Sequence, residues 1–152
     1  MITFNKINEM YITFFGIGYI PIASGTFGSM AGIILGYIIY LIEFNLFYIL
    51  IPILFILGII SSNIYEKQTN IRDSSIIVID EVVGQLISMM FFMHNNFLVI
   101  LSFFIFRFFD ILKPWPASYI DNKIKGGMGV MLDDVIAGIY TIFTIYIIKL
   151  FL

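Results

Sequence analysis

Apolar residues fill five stretches of the chain, near 28–42, 46–62, 76–93, 97–112 and 130–148, and polar clusters separate them. Each stretch is hydrophobic on nearly every face when wound as a helix, which predicts helices surrounded by lipid rather than the amphipathic helices of a water-soluble bundle. At about 15–19 residues each, they are just long enough to cross the hydrocarbon core, which takes ~17–20. The expected architecture is therefore all-α, a multi-pass membrane bundle of about five apolar helices.

The connections differ in length and charge. "EFN" at 43–45 and "HNN" at 94–96 are minimal turns, whereas 1–27, 63–75 and 113–129 are long and hold most of the charge. If all five segments cross, the long connections share one side with Lys6, Lys67, Arg72, Lys113, Lys123 and Lys125, and Lys149 alone lies opposite. The positive-inside rule makes the charged side cytoplasmic. The stretch 10–22 reads either as an interfacial helix or as part of a loop, and Gly16 and Gly18 favour the loop.

Composition narrows the class. Of 152 residues, 61% are hydrophobic and 12% charged, about half the charged fraction of a soluble domain. Such a chain could not cover its own surface in water, so residues 1–152 are read as one membrane-embedded domain. A net charge of −2 gives no basic footprint for nucleic acid. The absence of cysteine excludes disulfides, thiolate catalysis and thiolate-bound metals. The N-terminal stretch shows no clear cleavage site, and no removable signal peptide is expected.

Against this background the acidic residues stand out. "VIDEVVG" at 78–84 sets Asp80 and Glu81 inside a hydrophobic run, near the cytoplasmic start of the third segment. Asp110 and Lys113 fall at the cytoplasmic end of the fourth, and Asp133 and Asp134 at the cytoplasmic start of the fifth. Three helix ends thus bring five carboxylates to one membrane depth. A carboxylate in a membrane helix costs about 2.5–3.5 kcal/mol at the centre and less near the interface. Clustering adds repulsion, so some must be protonated or neutralised by a cation, and Mg²⁺ is the natural counter-charge for oxygen ligands. Helix capping by Asp80 and Asp133 would explain either pair alone, but not both pairs together with Asp110.

Two further motifs flank these acids. "FRFFDILKPWP" at 106–116 spaces Arg107, Asp110 and Lys113 along one side of a helix that Pro114 ends. They form an ion-pair ladder with Trp115 as interfacial anchor, or the two cations hold phosphate oxygens while Asp110 joins the metal set; both can hold at once. "GIGYIPIASGTFGS" at 16–29 leads into the first helix and can present backbone amides to an anion, although it lacks the P-loop spacing. "KGGMGVMLDD" at 125–134 repeats that logic with a glycine turn feeding an acidic helix start. His94, the sole histidine, lies in the turn on the opposite face, which argues against histidine-based phosphoryl transfer.

Taken in order, "GIGYIPIASGTFGS", "IVIDEVVG", "FRFFDILKPWP" and "GGMGVMLDD" resemble the phosphatidylglycerophosphatase A family over about Gly16 to Gly138. The resemblance implies a Mg²⁺-dependent phosphomonoesterase of bacterial phospholipid synthesis, in the cytoplasmic membrane, with its active site facing the cytoplasm. Its substrate would be a phospholipid in the bilayer. The family's acidic pairs fall on Asp80 and Glu81 and on Asp133 and Asp134, its Asp and Lys before the proline motif on Asp110 and Lys113. Its glycine motif falls on Gly25, Thr26, Gly28 and Ser29. One departure is Ser24, where the family usually has proline, which leaves that loop less rigid.

The expected site then has Asp80, Glu81, Asp133 and Asp134 holding Mg²⁺ with Asp110 nearby, and Lys113 and Arg107 binding phosphate oxygens. A small transporter or channel is the alternative from another class, since intramembrane carboxylates also mark ion pathways. It predicts charges spread through the bilayer depth, whereas here they gather at one end. A transferase acting on cytidine diphosphate lipids would need an extended aspartate pattern that the chain lacks, and a structural scaffold gives no reason for clustered carboxylates.

Overall fold

The computed structural model describes residues 2–151, with side chains from Asn5 onward. Among the described residues there are seven α-helices: α1 (Ile2–Ile12), α2 (Ser24–Ile42), α3 (Leu46–Thr69), α4 (Ile79–Met89), α5 (Asn96–Leu112), α6 (Ala117–Lys123) and α7 (Gly127–Lys149). Two short 3₁₀ turns, Ile17–Tyr19 and Met90–Phe92, accompany them, and no described residue is in a strand. The all-α expectation holds.

The expected count of about five spanning helices is met only in part. Among the described residues three helices, α2, α3 and α7, are long and apolar enough to cross a membrane. The segment expected over 76–93 is an 11-residue helix, α4, followed by a 3₁₀ turn. Its hydrophobicity has another cause than lipid. Ile79, Val82, Val83, Leu86 and Met89 are all fully buried, because α2, α3, α5 and α7 pack around α4. A helix enclosed by protein is apolar on every face for the same reason as one enclosed by lipid. The fourth segment, α5, has 17 residues, about 25 Å at 1.5 Å per residue against a ~30 Å core.

α3 shows the contrasting case. Tyr48, Ile49, Ile53, Ile56, Leu57 and Ile60 are exposed along it, and such a continuous apolar surface is stable only against lipid or another protein. Both minimal turns form as expected. Asn45 Nδ2 donates to Glu43 Oε1 at 2.9 Å, and Asn95 caps α5 by accepting from the amides of Phe97 and Leu98 at 3.0 and 3.2 Å. The 10–22 stretch divides: α1 runs to Ile12, held on α3 by Asn8 Nδ2 to the Ser61 carbonyl (3.1 Å) and Tyr11 OH to the Leu54 carbonyl (2.9 Å). The remainder is loop, and its single 3₁₀ turn seats Gly18 against the backbone of Ile76.

Close approach of backbones sets α4 in place. Gly28, Gly32 and Gly36 line the α2 face that meets α4, where added Cβ atoms would lie 2.9 Å from Val78 Cβ, 3.0 Å from Gln85 Cβ and 1.9 Å from Met89 Cε. On the other side Gly84 of α4 meets Gly138 of α7, whose added Cβ would lie 2.8 Å from the Gly84 carbonyl. Small residues at such spacing let membrane helices pack by dispersion where no hydrophobic driving force separates them from lipid.

Gly84→Leu is expected to lower the thermal midpoint in detergent by more than about 5 °C, because its Cβ would strike the Phe106 ring and the Asp134 carbonyl. Ile53→Leu, on the exposed face of α3, should leave it within about 1 °C; tryptophan-independent scanning calorimetry of the purified protein measures both.

Candidate active site

Four helix ends meet at one end of the bundle. Asp80 and Glu81 occupy the first turn of α4, whose N-cap is Val78 with no side-chain cap. Asp110 lies in the last turn of α5. Asp133 and Asp134 are the seventh and eighth residues of α7, which starts at Gly127 rather than near 130. That sets them about 9 Å along the helix axis from its start, too far to cap it. Capping is therefore excluded for this pair, and both residues are buried.

Lys113 leaves the helical path. It is the C-cap of α5 with φ 44°, in the left-handed region, and its amide donates to the Phe109 carbonyl at 2.8 Å. Pro114 disfavours right-handed helical dihedrals at the preceding residue, and the resulting bend turns the lysine away from the α5 ladder. The expected alignment of Arg107, Asp110 and Lys113 is split accordingly. Arg107 pairs with Asp110 one turn on, while Lys113 Nζ reaches Asp133 Oδ2 at 2.6 Å and Asp121 Oδ1 at 3.0 Å. Burial alone would lower the pKa of Lys113, but the two carboxylates outweigh it and hold the value above the ordinary lysine range. Lys113 is thus a cation at physiological pH.

These pairings sort the five carboxylates expected to converge. Asp133 and Asp110 are each bound to a cation. Asp80, Glu81 and Asp134 remain, and one oxygen from each lies within 4.8 Å of the others. Arg107 Nη1 stands 3.8 Å from Glu81 Oε1, but Asp80 Oδ1, Glu81 Oε2 and Asp134 Oδ2 are buried without a hydrogen-bond partner. Buried carboxylate oxygens left unpaired in this way are strongly unfavourable. Three hard oxygen donors converging on one point fit a divalent cation. Asp133, expected among the metal ligands, stands outside this group, with Lys113.

The three acids open onto a cleft of about 270 Å³ that is also lined by Asp110, Lys113, Asp133 and the 73–75 segment. The glycine motif is placed differently from expectation. Gly25, Thr26, Gly28 and Ser29 form the first turns of α2 instead of a loop before it. A Cβ at Gly25 would lie 2.1 Å from Glu81 Oε1 and 3.0 Å from an Arg107 nitrogen, so the motif seats α2 directly behind the acidic pair. Ser29 Oγ donates to the Gly25 carbonyl at 2.9 Å and lies 3.5 Å from Arg107 Nη1. Ser24, the departure from the family pattern, is the residue of this motif that lines the cleft, and its Oγ donates to the Ser75 carbonyl at 2.7 Å.

Sequence reasoning missed Asp121, the second partner of Lys113, and Asp73, Ser74 and Ser75 at the cleft wall. The only signal for the wall was the polar run "RDSS" at 72–75 just before the acidic pair. For Asp121 there was none beyond its place in a charged connection.

Comparison with known proteins identifies the family. The family model described as "Phosphatidylglycerophosphatase A" matches residues 10–149. The chain is 40% identical over 137 residues to the phosphatidylglycerophosphatase A of Haemophilus influenzae, covering 89% of this chain and 84% of that protein. It is 34% identical over 135 residues to the phosphatidylglycerophosphatase A of Escherichia coli, covering 88% and 78% respectively. No solved structure matches the chain.

The division of the carboxylates gives a direct test. Asp134→Asn is expected to weaken Mn²⁺ binding at least about tenfold, and Asp133→Asn by less than about threefold, in titrations followed by electron paramagnetic resonance. Equal losses would make Asp133 a ligand.

Proposed function

The chain belongs to the phosphatidylglycerophosphatase A family, and from that premise we propose that it removes the terminal phosphomonoester of phosphatidylglycerophosphate, giving phosphatidylglycerol and phosphate, with Mg²⁺ held by Asp80, Glu81 and Asp134. The observation that carries this reading is the set of three buried, unpartnered carboxylate oxygens beside a charged lysine in one cleft.

A phosphomonoester is doubly negative and repels nucleophiles, so catalysis rests on charge neutralisation and positioning. Mg²⁺, when bound, supplies Lewis acidity toward the phosphate and its attacking oxygen. Lys113 donates to a phosphate oxygen from the cleft wall. Asp133 and Asp121 fix its ammonium in place and keep it protonated. Arg107, expected as a phosphate ligand, acts in this reading from behind the acids: it ties Asp110 down and offsets part of the charge of Glu81. Gly25 and Gly28 serve by letting α2 approach the acidic pair, and Ser29 Oγ stands 3.5 Å from Arg107 Nη1.

The membrane arrangement follows from the same features. Lys67 in the last turn of α3, Lys123 at the end of α6, and Arg72, Lys113 and Lys125 in the adjoining connections gather at the cleft end, which makes that end cytoplasmic in a bacterial inner membrane. The α4 and α5 hairpin carries the chain from the cleft to the Asn95 turn and back, with α4 enclosed by the bundle and one face of α5 exposed, completing the five apolar segments. The substrate's acyl chains stay in lipid beside exposed α5 and α7 side chains such as Phe104 and Phe143, while its headgroup reaches the carboxylates. A transporter fits less well, since the ionisable groups sit at one end and not along a path.

Purified protein in detergent is expected to release phosphate from phosphatidylglycerophosphate with Mg²⁺ and to stop when the metal is chelated. Asp80→Asn and Lys113→Met should each reduce the rate at least about 100-fold. A folded wild-type protein that releases no phosphate would refute the assignment and turn attention to ion flux.

A further inference from the structure

A second polar cavity, of about 190 Å³, adjoins the cleft and is lined by Arg72, Asp73, Asp121, Asn122, Gly126 and Gly129. Asp73 lines both spaces, and Asp121 links them. Its carboxylate accepts from Lys113 Nζ at 3.0 Å, and its backbone carbonyl accepts from Arg72 Nη2 at 2.8 Å.

The cations around the two spaces are not equally engaged. Lys113 is held by two carboxylates, and Arg107 by Asp110 with Glu81 nearby. Arg72 has no carboxylate within 4 Å among the described residues. Its recorded side-chain bond goes to a neutral carbonyl, and the residue is exposed. A guanidinium presents five donors in a planar fork, so most of Arg72's capacity for an anion is open.

The substrate proposed above has two anionic centres, the monoester that is cleaved and the phosphodiester that joins its glycerol to the lipid. We infer that Arg72 binds the phosphodiester, and so distinguishes this substrate from phosphomonoesters that lack a second phosphate. The inference rests on reading the cleft as the monoesterase site.

Reach supports it. Because Lys113 and Arg72 both bond to Asp121, their nitrogens are no more than about 11 Å apart, the two hydrogen bonds plus ~5 Å for the breadth of one residue. A glycerol bridge separates two phosphorus atoms by six bonds, about 7 Å when extended, and a hydrogen bond of ~3 Å at each end spans the remainder. The phosphodiester does not change during monoester hydrolysis. A contact to it therefore binds ground state and transition state alike, and its loss appears in KM rather than kcat.

The test is steady-state hydrolysis of phosphatidylglycerophosphate by full-length Arg72→Gln and Arg72→Lys, together with inhibition by inorganic phosphate, which can occupy the monoester site alone. Arg72→Gln should raise KM about tenfold to a hundredfold, with the loss carried mainly by KM. Arg72→Lys should recover part of it, and the inhibition constant for inorganic phosphate should stay within about threefold of wild type. An unchanged KM, a loss confined to kcat, or an equal weakening of phosphate inhibition would overturn the inference. Absence of phosphate release by the wild type would instead refute the underlying monoesterase reading.

Discussion

Three carboxylates, from Asp80, Glu81 and Asp134, are held within 4.8 Å of one another at the end of an apolar helical bundle, each with a buried oxygen that no donor among the described residues reaches. Like charges at such separation oppose one another's ionisation, and burial adds to that opposition. The local cations do not relieve it, because Lys113 is committed to Asp133 and Asp121, and Arg107 mainly to Asp110. Asp110, Asp121 and Asp133 are thus each paired with Arg107 or Lys113, while the three clustered acids could hold an external cation. This imbalance is what makes the cluster a site and not simply a polar defect in a membrane protein.

Holding the cluster together requires helices that approach more closely than ordinary side chains permit. α4 carries two of the three acids, and α7 carries the third. Gly84 and Gly138 bring these helices into backbone contact, while Gly28, Gly32 and Gly36 do the same for α2 and α4. Packing without side-chain volume gives up hydrophobic area but gains dispersion contacts over the whole backbone. The geometry of the acidic cluster is therefore set by the glycine seams, and α2 supports the cluster although most of its motif never lines the cleft.

Lys113 links this framework to chemistry. A residue in the left-handed region before a proline is a local irregularity, and here it moves the ammonium from the α5 axis into the cleft. Its two carboxylate partners hold it in place and keep its proton, so in the proposed reaction the cation is organised in advance of phosphate. Such preorganisation is the main route by which a site with little covalent chemistry accelerates phosphoryl transfer. Placing the whole assembly at the charged end of apolar helices suits a substrate whose headgroup is ionic and whose tails cannot leave lipid.

The sequence by itself determined the all-helical membrane class, both minimal turns, and the end of the bundle where the acids collect, because these follow from hydrophobic runs and the spacing of polar residues. The order of the four motifs also carried the family. Tertiary structure decided the rest. Hydropathy reports that a segment avoids water but not whether lipid or protein surrounds it, so α4 was indistinguishable from a spanning helix until its neighbours were seen. Adjacent helix residues point about 100° apart, so Asp133 and Asp134 meet different partners, one Lys113 and the other the acidic cluster. A pair of identical letters in the chain cannot reveal which of them faces which, since that depends on how α7 is rotated against α4 and α5.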